Sequence, residues 1–137
     1  MYIKDLKKDT KVIRKEGSGF FVDAVTKEGI TTMRTTSDPT LAKQFTLKEM
    51  FETIYNDMSA DDIKSVREAH ASGKDSYSTV LAYRCQDYRV IKPESIQYGY
   101  SNDMAHEKRL LNELDLSYII DTPKVVIKLI DAEDEDE

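Results

Sequence analysis

The sequence contains very little cysteine, histidine, glycine and proline. Its 137 residues include one Cys, two His, five Gly, three Pro and no Trp. The single Cys85 cannot form an intrachain disulfide, and the chain has no Asn-x-Ser/Thr glycosylation site. No apolar run approaches the roughly 18 residues that a transmembrane helix needs. We therefore expect a cytoplasmic protein with no membrane segment, and we predict no metal site and no cofactor, because clustered ligands are missing.

No catalytic motif in the chain is complete. His106-Glu107 begins like the helix of a zinc protease, but Leu110 stands where the second histidine is required. A phosphate-binding glycine-rich loop is also missing. Cys85, His70 and His106 are the candidates for a nucleophile or base, because such residues meet only in the fold. The sequence predicts that the protein is not an enzyme.

Negative charge is concentrated at one end of the chain. Of the 26 acidic residues, six fall in the last seven positions, namely Asp131, Glu133, Asp134, Glu135, Asp136 and Glu137. The other 20 acids are balanced by the 20 Lys and Arg residues, so the net charge of −6 resides in this segment. Like charges repel and stay solvated, which predicts a disordered acidic tail at 131–137. Such a tail can also steer the protein towards a basic partner surface.

The remaining 130 residues fit one domain. Apolar residues make up 39% of the chain, enough for a single core. Turn residues separate three β-rich segments, which predicts antiparallel strands at 10–14, 19–26 and 30–35. The middle segment has apolar residues on both faces and is expected to be central, whereas the threonine-rich third segment suits a sheet with one wet face.

Three helices and a final strand complete the prediction. Thr46 and Glu49 form a capping-box pattern before the apolar stripe of Leu47, Met50, Phe51, Ile54, Tyr55 and Met58. Ser59 begins a second helix that ends near Gly73, and a third is predicted at 103–114. Residues 77–91 favour strand slightly over helix, and residues 124–130 alternate as a strand does. The fold class is α+β, a mostly antiparallel sheet with about three helices packed on it, in one domain at 1–130.

Tyrosine and arginine are interleaved in the segment between residues 77 and 100. These side chains are over-represented in protein interfaces, and tyrosine rings also stack on unpaired bases. The alternative is that the rings are half-buried strand residues. The candidate partner-binding residues are Tyr77, Tyr83, Arg84, Tyr88, Arg89, Tyr98 and Tyr100, together with the tail residues Glu133, Asp134, Glu135, Asp136 and Glu137.

Two stretches resemble known kinds of protein. The sequence from Ser37 to Glu49, which follows a hairpin, resembles the strand-to-helix passage of many small bacteriophage accessory proteins. The sequence from Met58 to Gly73 is similar to the opening helix of helix-turn-helix segments in phage and bacterial DNA-binding proteins. The second resemblance implies that Ala82 takes the small-residue position of the next helix. It also implies a recognition helix that begins at Pro93 and contains Glu94, Ser95 and Gln97.

These observations lead to two functional hypotheses. The first is a small interaction protein, encoded by a phage, that binds a host protein with a basic surface. Such a host protein would be a defence or transcription component, inhibited by steric or charge mimicry. The alternative is a helix-turn-helix-like DNA-binding regulator that uses residues 59–100, although DNA binding normally shows as a basic face.

Overall fold

The computed structural model describes residues 1–73, 79–90, 94–98 and 103–121. Within these ranges six strands and four α-helices follow one another in the order β-β-β-β-α-α-α-β-β-α. The α+β class predicted from the sequence is confirmed. The predicted strand at 124–130 and the predicted acidic tail at 131–137 lie outside the described residues.

The strands form a mixed-length antiparallel sheet in the order β3-β2-β1-β5-β6, and a two-residue strand, β4, also pairs with β1. The strands are β1 (Lys11–Glu16), β2 (Gly19–Lys27), β3 (Ile30–Thr36), β4 (Phe45–Thr46), β5 (Tyr88–Val90) and β6 (Glu94–Ser95). The prediction of three N-terminal strands is confirmed, and β2 lies between two neighbours as expected. The sheet thus joins the first part of the chain to residues near 90.

A tight turn joins β2 to β3. Glu28 and Gly29 both have positive φ, at 54° and 79°, which is the backbone that a two-residue hairpin turn requires. The ladder runs from Lys27↔Ile30 to Phe20↔Thr36 and is interrupted by a register shift between Phe21 and Asp23. Val22 is the extra residue at this β-bulge, and bulges increase the local twist of a strand.

The first two helices begin and end as the sequence predicts. In α1 (Leu47–Asp57) the Thr46 hydroxyl accepts a 3.0 Å hydrogen bond from the Glu49 amide. The Glu49 carboxylate accepts one of 3.0 Å from the Thr46 amide, which completes the capping box. Helix α2 (Ala60–Ala71) is followed by Gly73, whose φ of 64° is typical of the position after a helix.

The segment 77–91 differs from its prediction. Thr79 begins a short helix, α3 (Val80–Arg84), and its hydroxyl accepts from the Ala82 amide at 3.0 Å. A 3₁₀ turn at Cys85–Asp87 leads into β5. The preference for strand is therefore wrong at 80–84 and confirmed at 88–90. The β-branched and aromatic composition of this segment favours strand, so its helical conformation at 80–84 is determined by tertiary contacts.

The recognition helix implied by the second resemblance is not formed at its described positions, 94, 95 and 97. Glu94 and Ser95 form strand β6, and Gln97 pairs with Tyr2 in an isolated parallel bridge. The implied recognition helix is therefore wrong at these three residues, whereas DNA binding by residues 59–100 stays a prediction. The third predicted helix is confirmed as α4 (Asp103–Glu113).

The core lies between the β1–β5 part of the sheet and the helices. Phe51 of α1 is completely buried there, and Leu110 and Leu111 of α4 reach the same cluster. Further buried members come from positions along the whole described chain: Ile3, Leu6, Val12, Leu47, Met50, Leu81, Ile96, Leu116 and Ile119. None of the helices in the described ranges has the length and apolar character needed to cross a membrane.

Candidate interaction surface

The far half of the β2–β3 hairpin projects away from the core. Residues 24–35, called the arm below, are exposed at every position. Three of them are large apolar residues: Val25 is 52% exposed, Ile30 69% and Met33 48%. The sequence predicted a sheet with one solvent-exposed face. The arm is instead solvent-exposed on both faces, because no element among the described residues packs on either side of it.

Cross-strand polar contacts hold the arm together. The guanidinium of Arg34 donates two hydrogen bonds to the carboxylate of Asp23, one of them 2.6 Å from Nε to Oδ1. This pairing lowers the pKa of the Asp23 carboxyl group. The Thr26 and Thr31 hydroxyl groups share a hydrogen bond of 2.9 Å. The arm is therefore ordered by local pairs, with little apolar burial.

The root of the arm is packed tightly by contrast. The Phe21 ring lies 6.1 Å from the Phe45 ring, and the Arg14 guanidinium carbon lies 4.7 Å from the centre of the Phe21 ring. A side chain at Gly19 would meet the Thr36 carbonyl oxygen at 2.8 Å, so the two strands approach as closely as a glycine permits. This anchoring fixes the direction in which the arm leaves the body.

Strand β3 forms one edge of the sheet. Its only charged residue is Arg34, and that charge is engaged by Asp23 of the neighbouring strand. Natural edge strands usually carry lysine, proline or bulges that prevent pairing with other chains. Among the described residues, β3 has no strand on its outer side and no such protection. The arm therefore presents backbone hydrogen-bonding groups as well as apolar side chains.

The structure brings together only part of the predicted tyrosine and arginine set. Tyr83 is 58% exposed, and its ring lies 5.5 Å from that of Tyr98. Arg84 donates a hydrogen bond of 3.4 Å to the Asp62 carboxylate on α2. Tyr83 is therefore accessible to a partner, whereas Tyr98 is half-buried against the core and Arg84 is already engaged within the chain.

The predicted role of Tyr88 is wrong. Tyr88 is 2% exposed, and its ring packs edge-on against Phe45 at 5.9 Å, so it belongs to the core. Burial raises the pKa of its hydroxyl group. The neighbouring Arg89 bends back onto the backbone, where it donates to the carbonyl oxygens of Gln86 and Tyr88. The candidates Tyr77, Tyr100, Glu133, Asp134, Glu135, Asp136 and Glu137 lie outside the described residues.

A buried polar cluster joins α2, α3 and α4. The His70 ring nitrogen Nε2 lies 2.6 Å from Oε1 of Glu107, and these two side chains are 5% and 1% exposed. The Thr79 hydroxyl donates to Oε2 of Glu107 at 3.0 Å while it caps α3. No sequence signal predicted this contact of His70 with Glu107, because the two residues are brought together only by the packing of the helices.

The candidate nucleophile Cys85 is buried beside this cluster. Its side chain is inaccessible and its thiol donates to the Leu81 carbonyl oxygen at 3.4 Å. Burial raises the pKa of the thiol well above its ordinary value, and the negative charges of Glu107 and Asp87 raise it further. Because the thiolate is the reactive form of cysteine, this environment disfavours nucleophilic chemistry at Cys85.

Within the described residues, no group of three or more His, Cys, Asp or Glu side chains is arranged to hold a metal ion. Comparisons of the chain with protein-family models, with curated proteins and with solved structures returned no match. The arm is consequently the surface feature on which a functional proposal can be based.

Proposed function

We propose that this protein is a non-enzymatic interaction protein and that the arm is its main contact with a partner protein. The observation that carries the proposal is the exposure of all of residues 24–35, including Val25, Ile30 and Met33. Ordering a chain costs conformational entropy, and this hairpin recovers little of it by burying apolar surface. Binding to a partner would bury these side chains and offset that cost.

The chemistry of the arm favours a protein partner over nucleic acid. Its charged residues are Lys27, Glu28 and Arg34, and Asp23 at its root engages the arginine. Nucleic-acid contacts need an excess of positive charge facing the phosphates. A hairpin that exposes Val25, Ile30 and Met33 beside an edge strand suits instead an apolar protein surface or the edge of another sheet.

The finer proposal is that the partner is a host protein with a basic surface and that the chain is a phage-encoded inhibitor of it. The sequence resemblance at residues 37–49 and the acidic residues at 131–137 support this proposal. The arm would supply apolar contact and the acidic segment would supply long-range attraction, which raises association rates more than affinity. The buried position of Cys85 and the engaged position of His70 support a role without catalysis.

Capture from a bacterial lysate tests the proposal. The full chain is compared with the double variant Val25→Asn/Ile30→Asn and with the matched control Leu41→Asn. Leu41 is 66% exposed but lies outside the arm, so its replacement removes a similar exposed apolar side chain. We expect the wild type and the Leu41 variant to retain the same partner, identified by mass spectrometry, and the arm variant to lose most of it.

A fourth chain without residues 131–137 separates the contribution of the acidic segment. We expect it to capture the same partner with a weaker dependence on ionic strength, because exposed charges act within a Debye length of about 8–10 Å. Equal capture by the arm variant and the wild type would contradict a role for the arm. A wild-type chain that retains nothing specific would contradict the function itself.

A further inference from the structure

A groove with apolar walls runs along the outer side of α2. Its volume is about 490 Å³, and its walls are formed by Tyr55 at the end of α1 and by Ala60, Ile63 and Ala71 of α2, with Lys64 and Arg67 at its sides. Ile63 is only partly buried although it belongs to the apolar stripe of its helix. The groove therefore has room for apolar side chains.

The last described residues bring the chain to the edge of this groove. Arg67 donates hydrogen bonds to the carbonyl oxygens of Ile119 and Tyr118, at 3.2 and 3.0 Å. The Tyr118 ring packs edge-on against Tyr55 at 5.6 Å between centroids. Arg67 and Tyr55 also line the groove, so these contacts hold residues 118 and 119 beside it. The described chain ends two residues later, at Asp121.

The sequence that follows has the composition that the groove suits. Five of the six residues at 125–130 are apolar, namely Val125, Val126, Ile127, Leu129 and Ile130. From Asp121, the six residues to Ile127 can span about 20 Å. The twelve residues of α2 are about 18 Å long. The segment is therefore long enough to follow the groove.

We propose that this groove is the docking site for residues 125–130 of the same chain. Packing there would remove apolar surface of both α2 and residues 125–130 from water, which is energetically favourable. In the lining Lys64 lies 3.9 Å from Glu68, which leaves the lining with one net positive charge at Arg67, and this charge suits the acidic sequence that follows at 131–137. Docking would place the acidic residues next to α2, on a defined side of the body.

Site-specific cross-linking tests this assignment in the full chain. The pair Lys64→Cys/Ile127→Cys places one thiol at the groove and one in the segment. The control pair Lys48→Cys/Ile127→Cys uses an exposed lysine of α1 that does not line the groove. The native Cys85 can stay, because its buried thiol does not compete. On mild oxidation of dilute protein we expect at least ten-fold more internally linked monomer from the groove pair than from the control.

Other outcomes overturn the proposal. A disulfide-linked dimer as the main product of the groove pair would mean that a second copy occupies the groove. Equal linking of both pairs, or none, would mean that the segment does not dock there.

Hydrogen exchange supplies a second measurement that requires no cysteine. The variant Ile127→Asn/Leu129→Asn should exchange the amides of α2 at least several-fold faster than the wild type, because it removes the apolar groups that cover the helix. The amides of α4 serve as the internal reference and should be unchanged. Unchanged exchange in α2 would also overturn the proposal.

Discussion

The arm and the core around Phe51 are both regular secondary structure, but different forces hold them. Phe51 is completely buried among side chains from helices and strands, whereas every residue of the arm at 24–35 is exposed. The arm depends on hairpin turn geometry and on cross-strand pairs such as Asp23 with Arg34. The core therefore supplies most of the stability and the arm supplies the accessible surface, so a substitution in one region should leave the property of the other largely unchanged.

The largest expected effect is in the core. Phe51→Ala should lower the free energy of unfolding by about 3–5 kcal/mol, because it removes buried apolar contacts and leaves a cavity. Ile30→Ala in the arm should change it by no more than about 0.5 kcal/mol, because Ile30 is 69% exposed. Urea denaturation followed by circular dichroism measures both. A similar loss of unfolding free energy in the two variants would show that the arm contributes to stability as much as the core does.

The buried polar cluster should also be sensitive. Glu107→Ala should cost about 3 kcal/mol, because His70 and Thr79 lose a buried partner. Glu113→Ala provides the matched control on the same helix, since Glu113 is 42% exposed and forms a surface ion pair with Arg109. That control should cost less than about 1 kcal/mol. Equal denaturation midpoints for the two variants would contradict a structural role for the cluster.

A smaller effect is expected from the helix cap. Thr46→Ala removes the hydroxyl that accepts from the Glu49 amide and should cost about 1 kcal/mol. In the arm, Thr31→Ala removes one exposed hydroxyl pair with Thr26 and should cost only a few tenths of a kcal/mol. Thermal unfolding of both variants under one condition gives the comparison, and a larger loss from the arm variant would reverse it.

The smallest effect is confined to the arm and depends on pH. Arg34 lowers the pKa of Asp23 in the folded hairpin, so this pair contributes its full stabilisation above the ordinary aspartate pKa of about 3.9. The contribution is lost as the pH falls through the lowered value. NMR titration of the Asp23 carboxyl carbon should give a midpoint below that of an exposed aspartate, and Arg34→Gln should raise it. An unchanged midpoint in the variant would show that Arg34 does not interact with Asp23 in solution.

Elements set by local signals were predictable from the sequence. The capping box of Thr46 and Glu49 and the turn at Gly29 depend on residues within four positions of one another, and the structure places them as predicted. The helix at 80–84 was not predictable in this way. Its N-cap Thr79 is also bound to Glu107, a contact between residues 28 apart that composition does not reveal.

The candidate site was predictable only in part. The exposed Tyr83 and the half-buried Tyr98 are adjacent, as a clustered aromatic segment suggested, but Tyr88 of the same segment is in the core. Sequence alternation shows which residues share a face of a strand but does not show which part of the strand extends past the core. The exposure of Val25 and Met33 on both faces of the arm required the three-dimensional structure.

The β-bulge at Val22 keeps the arm in register with β3. Val22 is the extra residue between the pairs Phe21↔Thr35 and Asp23↔Arg34, so β2 has one residue more than β3 over this stretch. Beyond the bulge, Val25 still lies opposite Thr32, and paired residues share a face of the sheet. Deletion of Val22 would therefore leave each arm residue on its present face and remove the local twist that the bulge adds, so the hairpin would point in a new direction with both of its surfaces unchanged.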